Sequence, residues 1–69
     1  MLQAGDLVKV RDNAAIPAFA GAVGIISRYL GKSPKENDVN YYEVNIAAQG
    51  SQILLERELT LLRKADKNV

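Results

Sequence analysis

Gly5-Asp6-Leu7-Val8-Lys9-Val10-Arg11 is the stretch that decides the fold of this chain. Val8 and Val10 fall on one face while Lys9 and Arg11 fall on the other, the two-residue period of a strand with one side buried. Gly5-Asp6 supplies the turn that leads into it. A second β-type signal, Gly21-Ala22-Val23-Gly24-Ile25-Ile26, follows after an apolar connection.

Outward from that pair, 23–30 reads as the second strand. Gly24 stands where a side chain would crowd a neighbouring backbone or where a bulge must form, and Gly31 ends the strand. Residues 31–40 (GKSPKENDVN) have the composition of an exposed hairpin tip. Tyr41-Tyr42-Glu43-Val44-Asn45-Ile46 resumes the alternation, with Tyr42, Val44 and Ile46 on the core face and Tyr41, Glu43 and Asn45 on the other. Residues 47–51 turn the chain, and 52–55 form a fourth strand.

Residues 51–64 admit two readings. Leu55, Leu59 and Leu62 lie at i, i+4 and i+7, as on an amphipathic helix. The rival reading is a strand through Leu55, a tight turn over Glu56-Arg57-Glu58 and a last strand over 59–63. It is preferred because a barrel needs a fifth strand to cover its edge. The expectation is one all-β domain over 1–64, a five-stranded barrel with room for a short 3-10 or helical turn near the C-terminus. Residues 65–69 read as a fraying tail.

Sixty-nine residues hold a single core, and a chain of that size buries only about 60% of the surface its unfolded form exposes, so a partner covering part of it is expected. Hydrophobic residues at 48% and charged residues at 25% are the composition of a globular domain. A net charge of +1 does not mark a polyanion binder. The chain has no cysteine and no histidine, which removes thiol nucleophiles, the usual zinc ligands and the proton-transfer residue best suited to neutral pH. This fits a reducing cytoplasmic or stroma-like compartment. The apolar run 14–26 is broken by Pro17 and lacks spanning length, so no membrane insertion is expected.

Three groups of residues stand out as sites. Ile16, Pro17 and Phe19 place bulky apolar groups on a connection, where they either anchor a partner or fold inward to plug the end of a small core. Lys9 and Arg11 point away from the core, and Arg28 on the next strand, with Tyr29 or Tyr41 at the rim, would complete a cation-plus-ring face for nucleic acid. The alternative is a solvated strand face partly neutralised by Glu43. Arg57, Arg63, Lys64 and Lys67 would enlarge the basic face if they shared its side. Of Tyr41-Tyr42, one ring enters the core and the other stays outside to pair across strands or to stack on a ligand. The carboxylates are scattered, and no base accompanies a serine or lysine, so catalysis is not expected. No cofactor, metal or small-molecule substrate is expected either. Asp38 and Asn40 offer a cation far fewer than the 6–8 oxygens that calcium takes.

The order GD-x-V-x-V, loop, G-x-x-G-x-I, charged tip, Y-x-V-x-I and closing L-x-x-E-L resembles the small SH3-like barrels. From Gly5 to Ile26 it is similar to the motif of ribosomal and transcription-factor KOW domains. Residues 4–63 also look like the small barrel proteins of photosynthetic complexes, such as the stromal barrel component of photosystem I and the variable chain of ferredoxin-thioredoxin reductase. The resemblance implies a barrel without chemistry of its own that docks on a larger assembly, or a KOW-type RNA or DNA binding module. RNA-binding KOW domains carry basic residues in the first connection, whereas AAIPAFAGAV has none, which weighs against nucleic acid. The expected function is a non-catalytic protein-interaction or assembly module, an accessory subunit on a larger complex or on copies of itself.

Overall fold

The computed structural model of the chain describes residues 2–12, 17–33 and 38–66. The alternating segments become strands: β1 (Leu7–Val10), β2 (Val23–Ser33), β3 (Val39–Ile46), β4 (Gly50–Leu55) and β5 (Leu59–Arg63). Short 3-10 turns cover Pro17–Phe19 and Glu56–Glu58. All pairings are antiparallel, and the five strands make one sheet in the order β4-β3-β2-β1-β5. Among the described residues no helix is long and apolar enough to cross a membrane.

The period of two decides what is buried. Val8 and Val10 of β1, Ile26 of β2, Tyr42, Val44 and Ile46 of β3, Leu54 of β4 and Leu59 of β5 form one buried cluster, with Leu2, Phe19 and Ala22 packed against it. A single sheet can gather side chains from all its strands into one cluster only by curling around them. β2 supplies the bend: its start pairs with β1 at Val23–Ile25, its full length pairs with β3, and register shifts fall between Ile26 and Arg28 and between Tyr29 and Gly31. Bulges of this kind bend a strand and increase its twist.

Gly24 is buried just ahead of that bend, and a Cβ there would stand 2.7 Å from the Asn45 carbonyl oxygen and 2.9 Å from Val44 Cγ1. The crowding expected at this position is therefore present. Gly31 does not end β2. It sits at the second irregularity with φ +108, a conformation that disfavours other residues. The ladder continues through Lys32 opposite Asn40 and Ser33 opposite Val39.

The sheet is not closed into the barrel that the sequence leads one to expect. β4 and β5 are its two outer strands, joined by the 3-10 turn and not by a ladder. Arg11 N–H donates to the Glu58 carbonyl at 2.8 Å, which fixes the far end of that turn beside the continuation of β1. β5 therefore runs along β1 and does not fold back on β4 as a hairpin. Between the two readings of 51–64 the strand-turn-strand form holds. Leu59 is buried, Leu55 half-buried and Leu62 exposed, so the three leucines do not share a helical face.

Candidate functional site

The structure distributes the residues singled out from sequence over several places. Ile16 lies outside the described residues, and of Pro17 the backbone alone is described, at the start of the first 3-10 turn. Phe19 is half-buried against the core. Its turn is locked to β1, because Ala22 N–H donates to Phe19 O, Val10 N–H donates to Ala22 O, and Gly21 N–H donates to Val10 O.

Lys9 and Arg28 do not share a patch. Lys9 is level with Val23, whereas Arg28 lies five residues further along β2 opposite Glu43, a separation of roughly 15 Å at the rise of a strand. Arg28 Nε is 3.5 Å from Glu43 Oε1 in an ion pair open to solvent, the neutralised strand face that was the alternative reading. The register shift after Ile26 places Tyr29 opposite Tyr42, with ring centroids 5.4 Å apart and planes tilted by 50°. Tyr29 therefore belongs to the core-facing side. Tyr41 is half-buried between Gly31 and Leu55.

Two polar devices escaped the sequence reading. Tyr42 Oη donates to Glu56 Oε1 at 2.5 Å and accepts from Leu2 N–H at 3.2 Å, while Asn40 donates to Glu56 Oε1 at 3.4 Å and accepts from Tyr29 Oη at 2.8 Å. The hydrogen bond from Tyr42 holds the Glu56 carboxyl below its ordinary range, against the opposing effect of burial. Burial pushes the Tyr42 phenol above its ordinary range, and the bond to Glu56 adds to that. Asp6, entirely buried, accepts from Gln3 N–H at 2.9 Å and from Ala65 N–H at 2.7 Å, and Lys64 Nζ stands 4.0 Å away. Ala65, where fraying was expected to begin, is thus fixed to the start of the fold. Both devices couple residues far apart in sequence, which local patterning does not reveal.

Two recesses of the described surface lie along β5. One, about 480 Å³, is lined by Leu2, Val39, Leu59 and Leu61 with Arg11, Glu56, Arg57 and Lys64. It occupies the seam that the open sheet leaves between β5 and the turn Glu56–Glu58. The other, about 540 Å³, is lined by Lys9, Val10, Arg11, Asp12, Thr60 and Leu62. β5 separates them and, among the described residues, is laddered to a strand on one side only. Leu61 and Leu62 are 38% and 49% exposed on it, next to the exposed charge of Arg63 at its end.

The carboxylates of Asp6 and Glu58 accept backbone N–H groups, Gln3 and Ala65 in one case and Leu55 in the other, and Glu56 holds the Tyr42 hydroxyl. Among the described residues no three His, Cys, Asp or Glu side chains gather where a metal could be held. Comparison with protein-family models, with curated proteins and with solved structures finds no match to this chain.

Proposed function

We propose that the chain is a non-catalytic protein-interaction module of SH3-like type, an accessory domain that docks on a larger protein. The observation that supports this reading is that β5, among the described residues, is an outer strand of the sheet with Leu61 and Leu62 exposed and a recess on either side. A free strand edge supplies directional hydrogen bonds to an incoming backbone, and the recesses supply contacts for its side chains. Less supports the nucleic-acid reading: one face of the Tyr29 ring packs on Tyr42 while the residue stays 39% exposed, and Arg28 is paired with Glu43.

The test is a photo-crosslinking residue introduced at position 62, with the same residue at exposed Ser27 as the control, in cells that make the protein. A specific protein adduct at 62 and not at 27 supports the reading. Adducts to nucleic acid, or adducts that are the same at both positions, overturn it.

A further inference from the structure

β4 is the other outer strand of the sheet, and one bond at its end shows which way its backbone groups point. Leu55 N–H donates to the Glu58 carboxylate at 2.9 Å and so turns away from β3. Along an antiparallel strand the N–H and C=O of a residue face the neighbour at every second position. Ser51 and Ile53 therefore present theirs at the edge, and among the described residues they meet no hydrogen-bond partner there. Both residues are exposed, Ile53 at 61%. From Val44 to Leu55 the chain carries no charged residue and no proline, two of the features that keep most strand edges apart.

We infer that β4 pairs with β4 of a second copy of this chain, antiparallel across a two-fold axis at Gln52, joining the two sheets into one. In that register Ser51 lies opposite Ile53 of the second copy, and each such pair exchanges both of its N–H···O bonds. The pairing uses only open groups. A register centred on Ile53 would instead call on the Leu55 N–H already given to Glu58. The two Ile53 side chains then sit diagonally across the axis, within reach of one another. A second copy suits this edge because the edge is neutral: the nearest charges, Glu56 and Arg57, fall opposite Ala48 and Ala47 of the other chain, so no like charges meet. Six residues span about 20 Å, and a contact of that length buries well under the ~1,200 Å² of a standard interface, so the dimer is weak and concentration-dependent. β5 stays open to a partner protein, and the inference does not rest on the function proposed for it.

The experiment is sedimentation of the full chain from about 10 μM to about 1 mM, the range of weak association, where the mass should rise from one chain toward two. Over the same range hydrogen exchange at the Ser51 and Ile53 amides should slow, while that at β5 should not change. Ile53→Lys and Ile53→Glu each set like charges across the axis and should each stay monomeric with an unchanged circular dichroism spectrum. Mixed in equal parts, the two variants should associate again. A parent chain that stays monomeric throughout, association that survives both substitutions, folded variants that stay apart when mixed, or protection at β5 in place of β4 overturns the inference. Should a variant fail to fold, the concentration dependence of exchange in the parent chain decides alone.

Discussion

Tyr42 and Glu56 are joined by a 2.5 Å hydrogen bond in which a fully buried phenol donates to a half-buried carboxylate. The bond connects β3, which supplies three of the buried core residues, to the 3-10 turn that leads into β5. Removing the donor in Tyr42→Phe leaves the carboxylate without its main partner and Leu2 N–H without its acceptor. The loss should be about 1.5–3 kcal/mol, the range for hydrogen bonds to charged groups, measured by urea unfolding at neutral pH.

The same pair sets the pH dependence. Glu56 is depressed in the folded state, so its contribution is fully present above its ordinary value of 4.5 and is lost as pH falls through the lower folded value. Tyr42 is raised, so its contribution is fully present below its ordinary value of 10.0 and is lost as pH climbs above it. Unfolding free energies measured across pH should decline at both ends, and Tyr42→Phe should flatten both declines. An unchanged pH profile in the variant would show that the bond does not form in solution.

Gly24→Ala should destabilise by about 1–3 kcal/mol, as overpacked core positions do. The added methyl meets the Asn45 carbonyl oxygen at 2.7 Å, and backbone in a central strand has little room to retreat. Gly50→Ala is the informative control, because its φ is +82 but nothing lies within 4 Å of the new Cβ. It should lose about 1–2 kcal/mol, from backbone strain alone. Equal losses at the two sites would mean that crowding at Gly24 is relieved by a small shift of β3.

Much of the fold is legible in the chain because its strands alternate cleanly. Val8 and Val10, then Tyr42, Val44 and Ile46, announce the buried face, and Glu56-Arg57-Glu58 announces the turn. The course of β2 is not legible in the same way. Its two register shifts are imposed by curvature, and they move Tyr29 to the core side, where counting by twos from Ile25 places it outside. The openness of the sheet is equally hidden, since the alternation of 52–55 and 59–63 does not say which strands they pair with. Of the sites, Lys9 and Arg11 are found together beside β5, whereas Arg28 is drawn away by Glu43. No pattern in the sequence ties Asp6 to Ala65.

That tie yields a further prediction. Asp6→Ala leaves the amides of Gln3 and Ala65 without their acceptor, each at about 1–3 kcal/mol if it stays buried. Asp6→Asn should lose less, because one oxygen remains to accept. Hydrogen exchange at the Ala65 amide distinguishes the variants: protection should vanish in Asp6→Ala. Persistent protection there would assign the amide to another partner.

Phe19 separates the two readings of the first connection. Half-buried against the core, it should lose about 1–3 kcal/mol on replacement by alanine, less than the 3–5 typical of fully buried Phe. An unchanged midpoint in thermal unfolding would return Phe19 to the surface as a partner anchor.

β1 finds one of its two neighbours next in the chain and the other, β5, almost fifty residues later. During synthesis, Val8 and Val10 therefore leave the ribosome long before the strand that flanks them exists. The native arrangement of this edge can form only after Leu59–Arg63 has emerged, so the nascent chain passes through an interval in which β1 is itself an open template for mispairing. Slow passage through the codons for 47–58 should lengthen that interval and raise the share of newly made chain that aggregates.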